Sequence, residues 1–261
     1  MRKPDGKVVL LGDVNVGKTS LLQRYMERRF PDTVSTVGGA FYLKQWRSFT
    51  ISLWDTAGVA LPVRRCCGAR AAMLRVSSVL QLKDGREQFH GLGSMYCRGA
   101  AAIILTYDVT QPQSLLELGD RFLGLTDTAS KDCLFAIVGS KVDLTQEGAV
   151  QSQERGEGGP GREGGGSGSP LVPRQVWPED AVALYKKILN YKMLDEKDVP
   201  AAEQMCFETS AKTGHNVDLL FETLFDLMVP MILRQRAEGP PQTVDVTSYR
   251  PPKRTRAGCC A

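Results

Sequence analysis

Val8 to Leu22 reads VVLLGDVNVGKTSLL: an apolar run of strand type, a glycine-bounded loop, and a helix-compatible stretch opened by Lys18-Thr19. Gly12, Gly17, Lys18 and Thr19 fit G-x-x-x-x-G-K-[ST], the phosphate-binding P-loop. The residue types follow from the chemistry. Glycines let successive backbone N–H groups turn inward toward an anion. The helix behind the loop presents its positive end to the same charge. Lys18 adds a point charge aimed at β- and γ-phosphates, and the Thr19 hydroxyl can bind Mg²⁺. A strand–loop–helix of this kind is built into a βαβ sheet, which already excludes all-helical and all-β folds.

The remainder of the chain agrees. Strand-like runs fall at Lys7–Leu11, Ala40–Trp46, Phe49–Asp55, Ala101–Tyr107, Cys133–Gly139 and Gln204–Thr209. Helix-like segments fall at Lys18–Arg28, Gln111–Leu125, Glu179–Tyr191 and Asn216–Gln235. That alternation predicts an α/β domain with a mostly parallel sheet covered on both faces. The expected domain runs over residues 1–238, with a stretch at 59–85 and a low-complexity linker at 151–175 that do not belong to the sheet. Residues 239–261 are Pro-rich and basic and cannot build a core.

Composition narrows the function. No run approaches the roughly 20 apolar residues of a membrane span, and MRKPDGK is too short for a secretory signal. The formal charge of +4 is modest, and the basic residues form no long stripe among aromatics, so no nucleic-acid partner is expected. Seven cysteines without a C-x-x-C pair argue against a disulfide framework.

Three more motifs follow strand ends, where ligands of such sheets bind. Asp55, in WDTAG, is placed to hold Mg²⁺ directly or through water, and Gly58 lets a backbone N–H reach a γ-phosphate. Lys141 and Asp143 lie in GSKVD. The Asp143 carboxylate can accept from guanine N1 and its amino group, which adenine does not offer. A backbone N–H of Ser210-Ala211-Lys212, in ETSAK, can donate to guanine O6. Leaving such groups unpaired with the wrong base gives strong discrimination.

With STVGGAF, LWDTAG, REQFHGLGSMYCRGAAAIILTYDV and CFETSAKTG, the chain resembles a Ras-like small GTPase of the Rab branch. The likeness covers 1–58, 86–150 and 171–261. It implies a P-loop NTPase, the Ras-like G domain, with a six-stranded sheet and five helices, binding GTP or GDP with Mg²⁺. It implies a GTP-binding set of Asp13, Val14, Asn15, Val16, Gly17, Lys18, Thr19, Ser20, Phe30, Thr36, Asp55, Gly58, Ser140, Lys141, Asp143, Ser210, Ala211 and Lys212. Thr19, Thr36 and Asp55 would hold the metal, Thr36 only while the γ-phosphate is present. Phe30 would pack on the base. The implied partners are an exchange factor, a GTPase-activating protein, a GDP-dissociation inhibitor or escort protein, and effectors. The cytoplasmic face of Golgi, endosomal or phagosomal membranes is the implied location.

Departures from the family qualify the catalytic set of Lys18, Thr36, Gly58 and Arg86. Arg86 aligns with the Gln that orients the attacking water, or Val59 does if the intervening stretch is counted. Arg has no acceptor for that water, and Val14 crowds the γ-phosphate, so slow hydrolysis is expected. Ser140 replaces the Asn of N-K-x-D; its shorter reach predicts weaker nucleotide affinity. The alternatives are a GTP-binding protein without effective turnover and, disfavoured by Asp143 with ETSAK, a P-loop kinase or ATPase.

Cys259 and Cys260, after Lys253, Arg254 and Arg256, resemble the double-cysteine ending that carries two geranylgeranyl groups. Two chains anchor stably where one does not, and the basic cluster adds attraction to anionic lipid. Residues 59–85 complete no motif, and the flanks rejoin in frame as WDTAG-REQF. The stretch therefore reads as an alternatively spliced exon or gene-model error in preference to a regulatory insert. Tissue-derived protein should yield a tryptic junction joining Gly58 to Arg86; a peptide running from Leu80 to His90 would overturn that.

Overall fold

In the computed structural model, which describes residues 3–31, 36, 39–56, 94–145 and 172–237, six strands form one sheet in the order β2-β3-β1-β4-β5-β6. Their ranges are Gly6–Leu11 (β1), Gly39–Trp46 (β2), Phe49–Thr56 (β3), Ala102–Asp108 (β4), Leu134–Ser140 (β5) and Cys206–Glu208 (β6). Only the β2–β3 pair is antiparallel. Residues 59–85, Gly58, Arg86, the linker up to residue 171 and the Cys259-Cys260 ending lie outside the described residues.

The sheet's centre is read directly from residue type. Every residue of β4, Ala-Ile-Ile-Leu-Thr-Tyr-Asp, is buried, and β1 and β5 are nearly so. Burial on both faces leaves no room for alternation and requires cover on each side. β2 sits at the edge and does alternate, with Phe41 and Leu43 turned outward.

Helix α1 (Lys18–Glu27) and the long α5 (Val217–Ala237) supply much of that cover. Leu220, Phe221, Leu224, Phe225, Met228 and Ile232 line the buried face of α5 at helical spacing. Tyr25 of α1 stacks on Phe221 with centroids 4.2 Å apart and meets Phe225 edge-on at 6.0 Å. Trp46 closes the cluster against Phe225 at 5.5 Å. Such ring geometry adds to plain burial; α5 runs on through Pro230 inside the helix.

Helix α3 (Pro178–Lys192) packs against β5 and against the turn that follows α2 (Pro112–Glu117). The single helix expected over Gln111–Leu125 is three pieces: α2, a wide π turn at Leu118–Phe122 and a tight 3₁₀ turn at Gly124–Thr128. Gly119 and Gly124 weaken a continuous helix. Gly119 also admits α3 closely, since a Cβ there would lie 3.0 Å from Lys187 Nζ. The strand expected from Gln204 begins at Cys206, because Ala202–Met205 forms the short helix α4 with Met205 buried beneath it.

Residues 172–177, whose first part was expected to continue the linker, run as a hydrogen-bonded strap. Val172 N donates to Leu144 O at 2.8 Å, and Gln175 N and Val176 N share Val109 O at 3.1 and 3.2 Å. Arg174 pairs with both carboxylate oxygens of Glu208, the Nη2–Oε2 bond at 3.0 Å.

Replacing Phe221 by Ala should cost about 3–5 kcal/mol in a urea titration. Leu219→Ala, at an exposed position of the same helix, should stay within about 0.5 kcal/mol. Equal losses would show that the aromatic cluster does not carry the helix.

Candidate functional site

The loop after β1 has the backbone that its glycines permit. Gly12 has φ of +151°, and a Cβ there would stand 2.3 Å from the Thr106 carbonyl. Gly17 has φ of +97° and passes the chain into α1, whose first turn closes with Leu21 N donating to Gly17 O at 2.9 Å. Lys18, almost wholly buried, donates from Nζ to Gly12 O at 2.9 Å and Asp13 O at 2.7 Å. Burial pushes its amine down to about 8, against the opposing pull of Asp55 and Asp13. An amine held this way regains its full charge beside an anion.

Across the loop, β3 brings Asp55 under Thr19. Thr19 Oγ1 donates to Asp55 Oδ2 at 2.6 Å and lies 2.8 Å from Thr36 Oγ1. Thr36 Oγ1 is itself 3.4 Å from the same carboxylate oxygen. Asp55 is 1 % exposed, and its Oδ1 has no hydrogen-bond partner. Burial raises the carboxyl's pKa, opposed by the Thr19 hydrogen bond, the Lys18 charge and the Thr36 hydrogen bond. A buried carboxylate with an orphaned oxygen and two converging hydroxyls is an all-oxygen donor set, which suits a hard cation such as Mg²⁺. Among the described residues no group of three or more His, Cys, Asp or Glu could hold a metal. Phosphate and water oxygens would therefore complete the shell.

On the other side of Gly17 lies a cavity of about 250 Å³, walled by Phe30, Lys141, Asp143, Leu144, Ala211 and Lys212 among others. Asp143 Oδ1 accepts from Ser210 Oγ at 2.6 Å, and Ser210 Oγ accepts from Thr213 N at 3.1 Å. This fixes the turn after β5 and the turn after β6 against each other. Lys141, at φ of +65°, is held by Asp108, with Nζ 2.7 Å from Oδ2. Phe30 stands half-exposed at the cavity wall.

Ser140 corrects one expectation. Its hydroxyl reaches the P-loop despite the shorter side chain: Oγ donates toward Val16 O, and toward Tyr107 O at 2.8 Å. The tether to the loop is kept because β5 carries Ser140 directly beneath Val16. One hydroxyl proton serves both carbonyls, so Ser140 has no further donor to offer, only its lone pairs.

The described members of the expected set thus gather at one end of the sheet. Asp13 to Ser20, Thr36 and Asp55 stand in and beside the P-loop, and Phe30, Ser140, Lys141, Asp143, Ala211 and Lys212 line the neighbouring cavity with Gly17 and Ser20, with Ser210 bonded to Asp143. Gly58 and Arg86 lie outside the described residues. Sequence reading missed Asp108, which anchors Lys141, and Arg24, whose guanidinium meets the Ala211 and Lys212 carbonyls. It also missed an aromatic face. Phe41 meets Trp54 at 5.0 Å, and Trp54 meets Tyr96 at 5.9 Å. A signal for that face existed, because β2 carries apolar residues on both of its alternating sets and only one set can face the core.

Comparison with known proteins fits this geometry. The Ras family model matches residues 71–159, and the model described as Ras of Complex, Roc, domain of DAPkinase matches residues 7–62. The chain is 72% identical over 261 residues to human Ras-related protein Rab-20, and 70% identical to the mouse protein of that name. Both alignments cover 100% of this chain and of the relative. Bovine Ras-related protein Rab-21 is 33% identical over 57% of each chain. Likeness of this degree over the whole length goes beyond a shared sheet: the chain belongs to the Rab family of small GTPases, GTP-binding and GTP-hydrolysing switches of membrane traffic.

Proposed function

We propose that the cleft binds GTP and GDP with Mg²⁺ through the residues gathered there, and that the γ-phosphate is sensed by Thr36 and Gly58. The observation that carries this is the convergence of the Thr19, Thr36 and Asp55 oxygens beside an orphaned buried carboxylate oxygen. Bound Mg²⁺ would neutralise charge on the β- and γ-phosphate oxygens. Lys18 would leave its two carbonyl partners for those phosphates. The backbone N–H groups of residues 13–20 would cradle them, and Asp143 with the 210–212 turn would read the guanine edge. When the γ-phosphate leaves, Thr36 loses one of its reasons to stay on Thr19, and the segment around it is released.

The output is a surface. Phe41, Trp54 and Tyr96 present an aromatic face on the β2–β3 side, where Thr36 leads into β2. We place effector contact there, since Phe41 is half-exposed and a protein interface favours aromatic anchors. Exchange factor, activating protein and GDP-dissociation inhibitor or escort protein are the further expected partners. No helix among the described residues is long and apolar enough to cross a membrane. Attachment through geranylgeranyl groups on Cys259 and Cys260, to Golgi, endosomal or phagosomal membranes, follows the tail sequence and the family.

Hydrolysis should be slow. Arg86 offers donors only, and Val14 adds bulk at the loop. The neighbouring 59–85 stretch favours the second reading, a GTP-binding protein whose turnover is impaired by that segment.

Purified full-length chain should retain guanine nucleotide, and chelating Mg²⁺ should speed GDP release at least about tenfold. Thr19→Ala should remove most of that dependence. Equal release with and without Mg²⁺ would sink the metal assignment. In single-turnover phosphate release, Arg86→Gln should accelerate hydrolysis, on the order of ten- to a hundredfold. If only deletion of 59–85 restores turnover, the inserted segment and not Arg86 is the brake.

A further inference from the structure

Arg24 projects from α1 toward the turn that follows β6. Its Nε donates to the Ala211 carbonyl at 2.5 Å, and its Nη2 donates to the Lys212 carbonyl. Its Nη1 donates to Arg28 O at 3.2 Å, and Arg28 N closes the helix on Arg24 O at 3.1 Å. One planar fork therefore joins the end of α1 to two successive carbonyls.

The turn is pinned elsewhere at its two ends. Ser210 holds Asp143 and accepts from Gly214 N through its carbonyl at 2.8 Å, and Ser210 N donates to His215 O at 3.1 Å. Thr213 N is taken by Ser210 Oγ at 3.1 Å. Between these ends, Arg24 grips the carbonyls of Ala211 and Lys212, both of which line the base cavity. A peptide whose carbonyl accepts from a cation becomes a stronger N–H donor, because hydrogen bonds in series polarise one another. The N–H sharing a plane with the Ala211 carbonyl belongs to Lys212.

We propose that Arg24 is a positioning residue for guanine selectivity, setting the orientation and donor strength of the 211–212 backbone toward the base's six-position oxygen. It touches no nucleotide itself and acts through the turn. Because Arg24 lies on the same helix as Lys18 and Thr19, that helix places the phosphate contacts and the base contacts together. This inference rests on the guanine site proposed above.

Release rates of GDP, inosine diphosphate and 6-thioguanosine diphosphate from the full-length chain test it. Inosine diphosphate keeps the six-oxygen and loses the amino group facing Asp143. The thio analogue keeps the amino group and replaces the oxygen by a poor acceptor. Arg24→Ala should speed release of GDP and of inosine diphosphate alike, on the order of tenfold, as expected for losing hydrogen bonds from a charged donor. Release of 6-thioguanosine diphosphate should change by less than about threefold, since its sulfur gains little from a well-set N–H. Arg24→Lys, with one compact donor, should fall between. A purely structural role would speed all three equally, and that result overturns the inference while leaving the base site standing. If the parent chain holds all three nucleotides equally well, the guanine site itself is wrong and the inference goes with it. Should Arg24→Ala fail to fold, the same three-way comparison on Arg24→Lys decides, with a graded oxygen-dependent loss for the inference and a uniform one against it.

Discussion

The structure depends on the burial of two opposite charges, Lys18 and Asp55, on either side of Thr19. Burial works against the ionised form of each, and each is favoured by the other's charge. Lys18 is held by two loop carbonyls, and Asp55 accepts from two threonine hydroxyls while one of its oxygens remains unmatched. An anion bound together with a divalent cation, as proposed for this cleft, would relieve both at once. The P-loop backbone, with Gly12 where a Cβ would strike the Thr106 carbonyl and Gly17 at a positive φ, carries Lys18 beyond the end of β1 while β3 carries Asp55. The parallel centre of the sheet supplies the rigid floor.

Much of this was legible in the sequence, and the reason is local. Gly12, Gly17, Lys18 and Thr19 need only each other and the strand–helix junction to be recognised. Asp55 and Asp143 stand at the ends of apolar runs, so strand order alone delivers them to one edge. Central strands such as β4 read clearly because burial on both faces enforces an uninterrupted apolar run. The family likeness added Thr36 and Phe30, which no local pattern would have selected.

What was illegible is long-range. Arg24 meets carbonyls on a turn far along the chain, and an arginine on an amphipathic helix carries no mark of that. Ser140 looked too short for its task because chain length was judged without the position of β5 under Val16. The broken helix after α2 combines two glycines that weaken it with the approach of α3 over Gly119, and only the first of these can be read from the sequence. The strap at 172–177 was hidden by its continuity with a linker of low complexity, although the apolar pair Leu171-Val172 is where that composition ends.

That strap brings two distant points of the chain together, since the amide of Val172 meets the carbonyl of Leu144. Joining two points fixed in this way costs entropy that grows only logarithmically with the number of residues between them. A change in the length of that connection is therefore thermodynamically cheap, and a reporter domain inserted into it would cost the fold little in closure entropy.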